Sequence, residues 1–254
     1  MSRLVIVTGG ASGIGAAVAG LLHARGWRVV VFDLSPEPPK SPGQPGFAGW
    51  LCVDVSDEQA VETAVARVED RLGPVDGLVN AAGVLGKMHA PDRLRMSDWD
   101  REIAVDLRGT YLTCRAAGAR MAARGAGAIV NIASIAGMTS GPLHGYGPAK
   151  AAVISLTTTL AGEWGPRGVR VNAVSPGFTR TQALEKGIES GALDEEMLSR
   201  PSALRRLVDP GEIASATAFL LGPEASGITG VNLPVDAGYL VGVTWQPYGG
   251  LRGA

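Results

Sequence analysis

Tyr146 and Lys150 are the two side chains of this sequence whose types and spacing most directly suggest proton-transfer chemistry. Because they are four residues apart, they lie one turn apart on the same face of a helix. A phenol is a poor acid or base at neutral pH, but a neighbouring ammonium favours its ionised form. The pair can then exchange a proton with a reacting oxygen. Taken alone, the same spacing is more often found in an exposed pair on an amphipathic helix. Other motifs of the sequence must therefore distinguish a catalytic pair from an exposed one.

A glycine-rich segment near the N-terminus favours the chemical interpretation. Residues 8–15, TGGASGIG, follow a short apolar run and open a helical segment. The glycines permit a tight turn and a close approach of the backbone to a pyrophosphate, which free N–H groups at the helix N-terminus can bind. An ordinary turn is the alternative, but the flanking strand and helix favour a dinucleotide site. The predicted contacts are Gly9, Ser12, Gly13, Ile14 and Gly15.

Asp33 ends the next apolar run and indicates which dinucleotide is bound. An acidic side chain at this place accepts hydrogen bonds from the ribose hydroxyls of the adenosine and repels a 2′-phosphate. Neither Ser12 nor Leu34, the positions best placed to hold that phosphate, carries a positive charge. The sequence therefore predicts NAD(H) as cofactor rather than NADP(H). A purely turn-forming role for Asp33 would not explain the missing cation.

The elements that must position these residues alternate along the chain. Short apolar runs rich in Val and Ile are typical of buried strands, and the segments between them have helical spacing. Such alternation predicts an α/β fold, a single Rossmann-type domain over residues 1–254 with a doubly wound parallel sheet of about seven strands flanked by helices. The predicted strands are 4–7, 28–32, 50–53, 77–80, 128–132, 169–174 and 231–235; the predicted helices are 14–25, 57–72, 97–124, 146–164 and 210–221.

Three stretches depart from this alternation. Residues 35–49 contain five prolines, which predicts a surface loop. Residues 178–206 have weak helical spacing and lie where a substrate lid would cover the cofactor crevice. Residues 239–254 form an apolar C-terminal extension with little helical or strand period, and we expect it to pack across a subunit interface near a neighbour's substrate pocket. A frayed terminus is the alternative.

Composition excludes several classes of partner. The formal net charge is −1, too small to hold nucleic acid or an anionic membrane by electrostatics, so a small molecule is the expected partner. The N-terminal run lacks the features of a signal peptide, and no apolar stretch could span a bilayer, which predicts a cytoplasmic protein. Cys52 and Cys114 are expected to be packed thiols, and no cluster with metal-ligand spacing is present in the sequence.

These motifs together resemble the classical short-chain dehydrogenases/reductases. The resemblance runs from the glycine loop to residues 231–238, and it includes the pair Tyr146 and Lys150 with Ser134 twelve residues before Tyr146. Further segments similar to the family's cofactor-binding motifs are Asp54-Val55, Asn80-Ala81-Ala82-Gly83 and the run Pro176, Gly177, Phe178, Thr179, Arg180 and Thr181.

The resemblance implies a reaction and a role for each residue. It implies an oxidoreductase that interconverts a secondary alcohol and its ketone by hydride transfer. In such an enzyme Tyr146 is the acid/base, Lys150 assists it and binds the nicotinamide ribose, and Ser134 hydrogen-bonds the substrate oxygen. It also implies a homotetramer, in which long apolar helical segments such as 104–121 and 153–160 pair between subunits.

One residue departs from the family pattern. The segment that in the family reads Asn-x-x-Gly is Asp106-Leu107-Arg108-Gly109 in this sequence. The family's asparagine shapes a kink that links the lysine to solvent. Aspartate lacks the amide donor and can carry charge. A catalytically weak NAD-binding sensor or structural subunit therefore remains an alternative, as does a lyase or epimerase. Polyols, hydroxysteroids, cyclic dihydrodiols and acyl β-ketones all remain open as substrates.

Overall fold

A computed structural model of the chain describes residues 2–36, 46–86 and 88–252. Seven parallel strands form one sheet in the order β3-β2-β1-β4-β5-β6-β7. The strands are β1 (Leu4–Thr8), β2 (Arg28–Asp33), β3 (Gly49–Cys52), β4 (Gly77–Asn80), β5 (Gly127–Ile132), β6 (Val169–Pro176) and β7 (Asn232–Val235). Chain order reverses between β1 and β4, where open α/β sheets bind ligands. The predicted fold class is confirmed.

The helices cover both faces of the sheet because successive strand residues point to opposite sides. Leu4 and Ile6 face the core under α2, α4 and α5, whereas Val5 and Val7 face the core under α1 and α8. The α-helices are α1 (Gly13–Ala24), α2 (Glu58–Leu72), α3 (Met96–Glu102), α4 (Thr110–Arg124), α5 (Tyr146–Trp164), α6 (Gln182–Glu189), α7 (Glu195–Ser199), α8 (Pro210–Leu221) and α9 (Tyr239–Gly242).

The helix predicted over residues 97–124 is interrupted in the structure. A π-helical turn, Ile103–Gly109, lies between α3 and α4 and contains Asp106. Thr110 Oγ1 donates to the Asp106 carbonyl at 2.8 Å, and Thr113 Oγ1 donates to the Gly109 carbonyl at 2.9 Å. Hydroxyls bonded back to carbonyls in this way bend helices, and π turns are frequent at functional sites. Apolar spacing did not reveal the interruption.

A buried polar network fastens the centre of the sheet to α4 and α5. Asn80 Nδ2 donates to Asn131 Oδ1 at 2.9 Å, and Asn131 Nδ2 donates to Thr157 Oγ1 at 3.0 Å. Asn80 Nδ2 also donates to the thiol of Cys114 at 3.1 Å, and burial raises the pKa of that thiol to about 12. The expectation of a packed thiol holds for Cys114 but is wrong for Cys52, which is exposed at the edge strand β3.

The three stretches that depart from the alternation of strands and helices differ in structure. Of the loop predicted over residues 35–49, positions 37–45 lie outside the described residues. The predicted lid contains α6 and α7. The C-terminal extension forms α9 and a 3₁₀ turn, Val243–Tyr248, although its sequence showed little period. Over the described ranges, no helix is long and apolar enough to cross a membrane, and no cluster of three or more His, Cys, Asp and Glu side chains could hold a metal ion.

Candidate active site

Lys150 is buried in the first turns of α5, with a side chain only 5% exposed. Its Nζ donates to the Ile132 carbonyl at 3.1 Å and lies 3.2 Å from Asp106 Oδ1. Nζ also lies 5.4 Å from the centroid of the Tyr146 ring. Burial of an ammonium costs free energy unless the group is paired with an opposite charge and hydrogen-bonded. The Lys150 ammonium has both kinds of partner and still lies beside the Tyr146 ring.

Asp106 is fully buried in the π-helical turn and lies against the loop that follows β4. Its Oδ1 accepts the Val84 N–H at 3.2 Å, and a Cβ added to Gly83 would lie 2.6 Å from the same oxygen. Burial raises the pKa of the Asp106 carboxyl above its ordinary value, while the Lys150 ammonium and the Val84 N–H oppose that rise. The partner of the carboxylate is Lys150 rather than Arg108, which lies on the exposed side and donates to the Ser56 carbonyl.

Ser134 lies two residues after the end of β5, and its Oγ accepts the Ala136 N–H at 3.1 Å. The turn that begins at Ser134 lies close against α5, since a Cβ on Gly137 would lie 2.6 Å from the Ala151 nitrogen. Tyr146 is half-buried at the start of the helix. Pro148 falls in the first turn, where a missing N–H costs nothing. The turn after β5 therefore packs against the first turns of α5, which carry Tyr146 and Lys150.

The glycine loop joins β1 to α1 in a conformation that side chains would not permit. Gly9 and Gly13 have positive φ values of 68° and 54°. A Cβ on Gly15 would lie 2.1 Å from the Gly9 carbonyl oxygen, and a Cβ on Gly9 would lie 2.7 Å from the Ala82 backbone. The loop is therefore tight and packs directly on the end of β4, with the first N–H groups of α1 beside it.

Asp33 organises the same loop from the end of β2. Its Oδ2 accepts the Ala11 N–H at 3.0 Å, and its Oδ1 accepts the Ser35 N–H at 2.9 Å. The turn-forming role that the sequence offered as an alternative is thus present in the structure, and it places the carboxylate beside the glycine loop. Leu34, next to it, is 62% exposed.

The remaining predicted contacts lie at the carboxyl edge of the sheet, beside the crevice. Asp54 follows β3, and its Oδ1 accepts the Ser56 N–H at 2.9 Å. Val55 is buried against Gly109, and the Ala82 N–H donates to Thr8 Oγ1 at 3.0 Å. The contacts on this edge are Asp54, Val55, Asn80, Ala82, Gly83 and Pro176.

The segment after β6 closes the crevice from the other side. The Thr181 hydroxyl caps α6 by accepting the Leu184 N–H at 3.4 Å, and its methyl group lies 3.5 Å from the Cβ position of Gly13. The Thr179 hydroxyl donates to the Gly177 carbonyl. The Phe178 ring packs edge-on against Tyr239 of the C-terminal extension, with 5.2 Å between centroids. The extension thus contacts the lid of its own chain.

Comparison with known proteins agrees with this geometry. Residues 9–240 match the family model described as Enoyl-(Acyl carrier protein) reductase. D-threitol dehydrogenase of Mycolicibacterium smegmatis is 37% identical over 251 residues, which cover 94% of this chain and 93% of that protein. The chain belongs to the short-chain dehydrogenase/reductase family. The predicted family is confirmed, and the chain is an alcohol dehydrogenase/ketoreductase of that family.

Solved structures of similar chains show the same architecture. NAD⁺-bound xylitol dehydrogenase has a TM-score of 0.86 and 31% identity, and the match covers 93% of this chain and 98% of that one. A structure described as ribose-5-phosphate isomerase from Brucella melitensis 16M has a TM-score of 0.95 and 52% identity, with 99% and 98% covered. Other solved relatives in this family contain NADP, so the family by itself does not fix the cofactor of this short-chain dehydrogenase/reductase.

The structure brings together Asp106, Tyr146 and Lys150, which the sequence named separately. It also reveals a buried carboxylate that the sequence analysis missed. Glu102 is 7% exposed and lies one helical turn before Asp106. The spacing of four between two acidic residues was the available signal, but acidic side chains are rarely buried, so this spacing by itself does not predict burial.

Proposed function

We propose that this enzyme oxidises a secondary alcohol of a small polyol to the ketone, and catalyses the reverse reduction, with NAD(H) as cofactor. The observation that carries the proposal is the buried Lys150 ammonium, paired with Asp106 and 5.4 Å from the Tyr146 ring. The Lys150 ammonium beside the ring favours the ionised phenol required to accept a proton from an alcohol, whereas the Asp106 carboxylate offsets part of that effect. Polyols are the first substrates to test because similar chains are described as threitol and xylitol dehydrogenases.

The residues of this chain have separate tasks in the proposed reaction. The glycine loop and the N-terminus of α1 would hold the pyrophosphate of the cofactor, and the tightness of the loop fits that role. When bound, the nicotinamide supplies hydride chemistry. Ser134 Oγ would hydrogen-bond the alcohol oxygen, the Tyr146 phenolate would accept the alcohol proton, and the Lys150 ammonium would stabilise that phenolate before the transfer.

The preference for NAD(H) over NADP(H) rests on the charge beside the glycine loop. The Asp33 carboxylate is fixed there by the Ala11 N–H and would repel a 2′-phosphate. Leu34 is exposed and uncharged at the position where a cation could hold that phosphate. These features support NAD(H).

The decisive experiment is a substrate screen with the purified enzyme. Polyols, hydroxysteroids, cyclic dihydrodiols and β-hydroxyacyl compounds are each incubated with NAD⁺ or NADP⁺, and the reduced cofactor is followed by its absorbance. We expect turnover with at least one polyol and a large preference for NAD⁺. NADH binding without turnover on any substrate would instead favour the alternative of an NAD-binding sensor or structural subunit. Substrate conversion without net NADH would favour a lyase or epimerase.

Aldose–ketose isomerisation is a second activity to test, because the Brucella melitensis relative is described as an isomerase. A phosphosugar needs free cations near the site. In the lid, however, Arg180 is paired with Glu185 at 2.6 Å and Arg206 with Glu212 at 2.7 Å. These pairs occupy two of the five cations of residues 178–206 and so reduce the positive charge offered to a phosphate. We therefore expect no conversion of ribose 5-phosphate when NAD(H) is omitted. Conversion without NAD(H) would contradict the proposed alcohol oxidation and identify the enzyme as an isomerase.

The assembly is part of the proposal as well. We propose a homotetramer, as the family resemblance suggested. Large side chains left exposed on the described surface support association, among them Tyr111 on α4 and Trp245 and Tyr248 in the C-terminal extension. Light scattering of the purified enzyme measures the mass directly, and a monomeric mass would contradict the proposal.

A further inference from the structure

Glu102 and Asp106 hold the loop after β4 with two carboxylates one helical turn apart. The Gly86 N–H donates to Glu102 Oε1 at 2.6 Å, while the Val84 N–H donates to Asp106. Both carboxylates are buried. A buried charge is tolerated when it is hydrogen-bonded. The two hydrogen bonds hold the loop after β4 against the helical turn that runs from Glu102 to Asp106, the partner of Lys150.

Two glycines leave the space that the Glu102 carboxylate fills. A Cβ on Gly86 would lie 2.4 Å from Oε1, and a Cβ on Gly145 would lie 2.1 Å from Oε2. Neither glycine has a positive φ, so the backbone conformation does not require glycine at either position. A Cβ at either position would overlap the carboxylate where it now lies, so the Glu102 side chain would have to move to admit one.

Gly145 connects this carboxylate to the catalytic helix. It is the N-cap of α5, has no side chain to cap the helix, and directly precedes Tyr146. A negative charge at this place lies at the positive end of the helix dipole and stabilises the first turn. Trp99 packs on the same glycine, since its Cδ1 would lie 3.2 Å from the added Cβ. The start of α5 is thus held against α3.

We propose that Glu102 is a positioning residue of the active site. It fixes the first turn of α5, and with it the Tyr146 hydroxyl, relative to the loop after β4. The inference rests on the proposed role of Tyr146 as the acid/base. Displacement of a reacting group by about 1 Å can cost about 100-fold in rate, so loss of the carboxylate should lower kcat more than it changes cofactor binding.

The first test compares Glu102→Ala with Glu102→Gln in polyol oxidation. Glutamine keeps the size of the side chain and an acceptor for the Gly86 N–H, whereas alanine keeps neither. For Glu102→Ala we expect kcat to fall at least about tenfold while the Kd of NADH stays within about threefold. For Glu102→Gln we expect kcat within about fivefold of the wild type. Equal kcat values for a folded Glu102→Ala and the wild type would overturn the proposal.

A second test uses the space around Gly145 and stays informative if Glu102→Ala does not fold. Gly145→Ala should lower kcat at least about tenfold, because its Cβ would overlap Oε2. The same substitution should cost far less in the Glu102→Ala background, a coupling that a double-mutant cycle measures. Gly141→Ala is the matched control: this glycine precedes the same helix and has no heavy atom within 4 Å of the added Cβ. An effect of Gly145→Ala no larger than that of Gly141→Ala would refute the proposal.

Crystal structures of the NADH complexes separate this inference from the proposed reaction. The wild-type activity tests the reaction, whereas the position of Tyr146 Oη tests Glu102 without any turnover. We expect the hydroxyl to move by about 1 Å in Glu102→Ala and to stay in place in Glu102→Gln. An unmoved hydroxyl in the alanine variant would overturn the positioning role even in an active enzyme.

Discussion

Asp106→Asn tests the most unusual feature of the candidate active site, a buried carboxylate paired with the Lys150 ammonium. Asp106 Oδ1 and the Tyr146 ring centroid are 3.2 Å and 5.4 Å from Lys150 Nζ, so the carboxylate is at most about 9 Å from the ring. With an effective dielectric constant of about 20, a unit charge at that distance contributes about 2 kcal/mol. An ionised Asp106 opposes formation of the phenolate, so removing its charge should shift the pH midpoint of oxidation by about one unit or slightly more, at about 1.4 kcal/mol per unit.

The expected result follows from the sign of that charge. Asparagine removes a negative charge near Tyr146, so the phenolate becomes easier to form and alcohol oxidation should reach half its maximal rate at a pH about one unit lower. The maximal rate itself should not fall. The assay is the pH profile of kcat and of kcat/KM for oxidation, and its midpoint reports the coupled Tyr146, Lys150 and Asp106 system. Asp98→Asn on α3, whose exposed carboxylate pairs with Arg95, is the control and should leave the midpoint in place.

Stability provides a second measurement on the same variant. Burial raises the pKa of the Asp106 carboxyl, so its ionised form works against folding. This loss of folding stability is absent at pH values below the ordinary pKa of an aspartate, and it develops as the pH rises through the pKa of Asp106 in the folded protein. Asp106→Asn removes the cost but leaves Lys150 without its charged partner, a loss that acts in the opposite direction. We expect the stability of the variant relative to the wild type to increase as the pH is raised from about 4 to 7, measured by thermal unfolding.

An unmoved pH profile would refute the electrostatic reasoning. It would mean that the Asp106 carboxyl is protonated in the working enzyme or that Lys150 offsets its charge completely. The functional part of this position would then be its backbone carbonyl in the π-helical turn, which accepts from Thr110.

Three further predictions address the cofactor, the acid/base and the tail. Asp33→Ala should weaken NAD⁺ binding and reduce discrimination against NADP⁺, measured as the ratio of kcat/KM values; equal efficiency of the wild type with both cofactors would contradict the assignment. Tyr146→Phe should lower kcat by about 10²-fold to 10⁴-fold with NADH binding nearly unchanged by fluorescence titration, and a loss under tenfold would exclude Tyr146 as the acid/base. Deleting the residues after Gly242 removes the Leu251 carbonyl that accepts from Arg205 of the lid, so the KM for the alcohol should rise. If the tail also packs across a subunit interface, the oligomer mass should fall, whereas unchanged KM and mass would show that the tail is idle.

The amino-acid sequence determined those features whose signals are local. The continuous apolar run of β1 and the helical spacing of α5 are signals within one element at a time. The seven predicted strands and the bounds of α5 and α8 agree with the structure. The glycine loop and the spacing of Tyr146 and Lys150 are local in the same sense. They sufficed to predict the fold and to place Tyr146 and Lys150 on one helix.

Tertiary structure alone decided the features that depend on packing between distant segments. Asp106 and Lys150 are 44 residues apart in the chain, and only the sheet and the π-helical turn bring their charges to 3.2 Å. The burial of Glu102 depends on the absence of side chains at Gly86 and Gly145, which lie on other elements. Helical period does not report a π turn, and composition does not report which carboxylates leave water. Burial and pairing are properties of the assembled layers, which is why only the tertiary structure shows the carboxylates around Lys150.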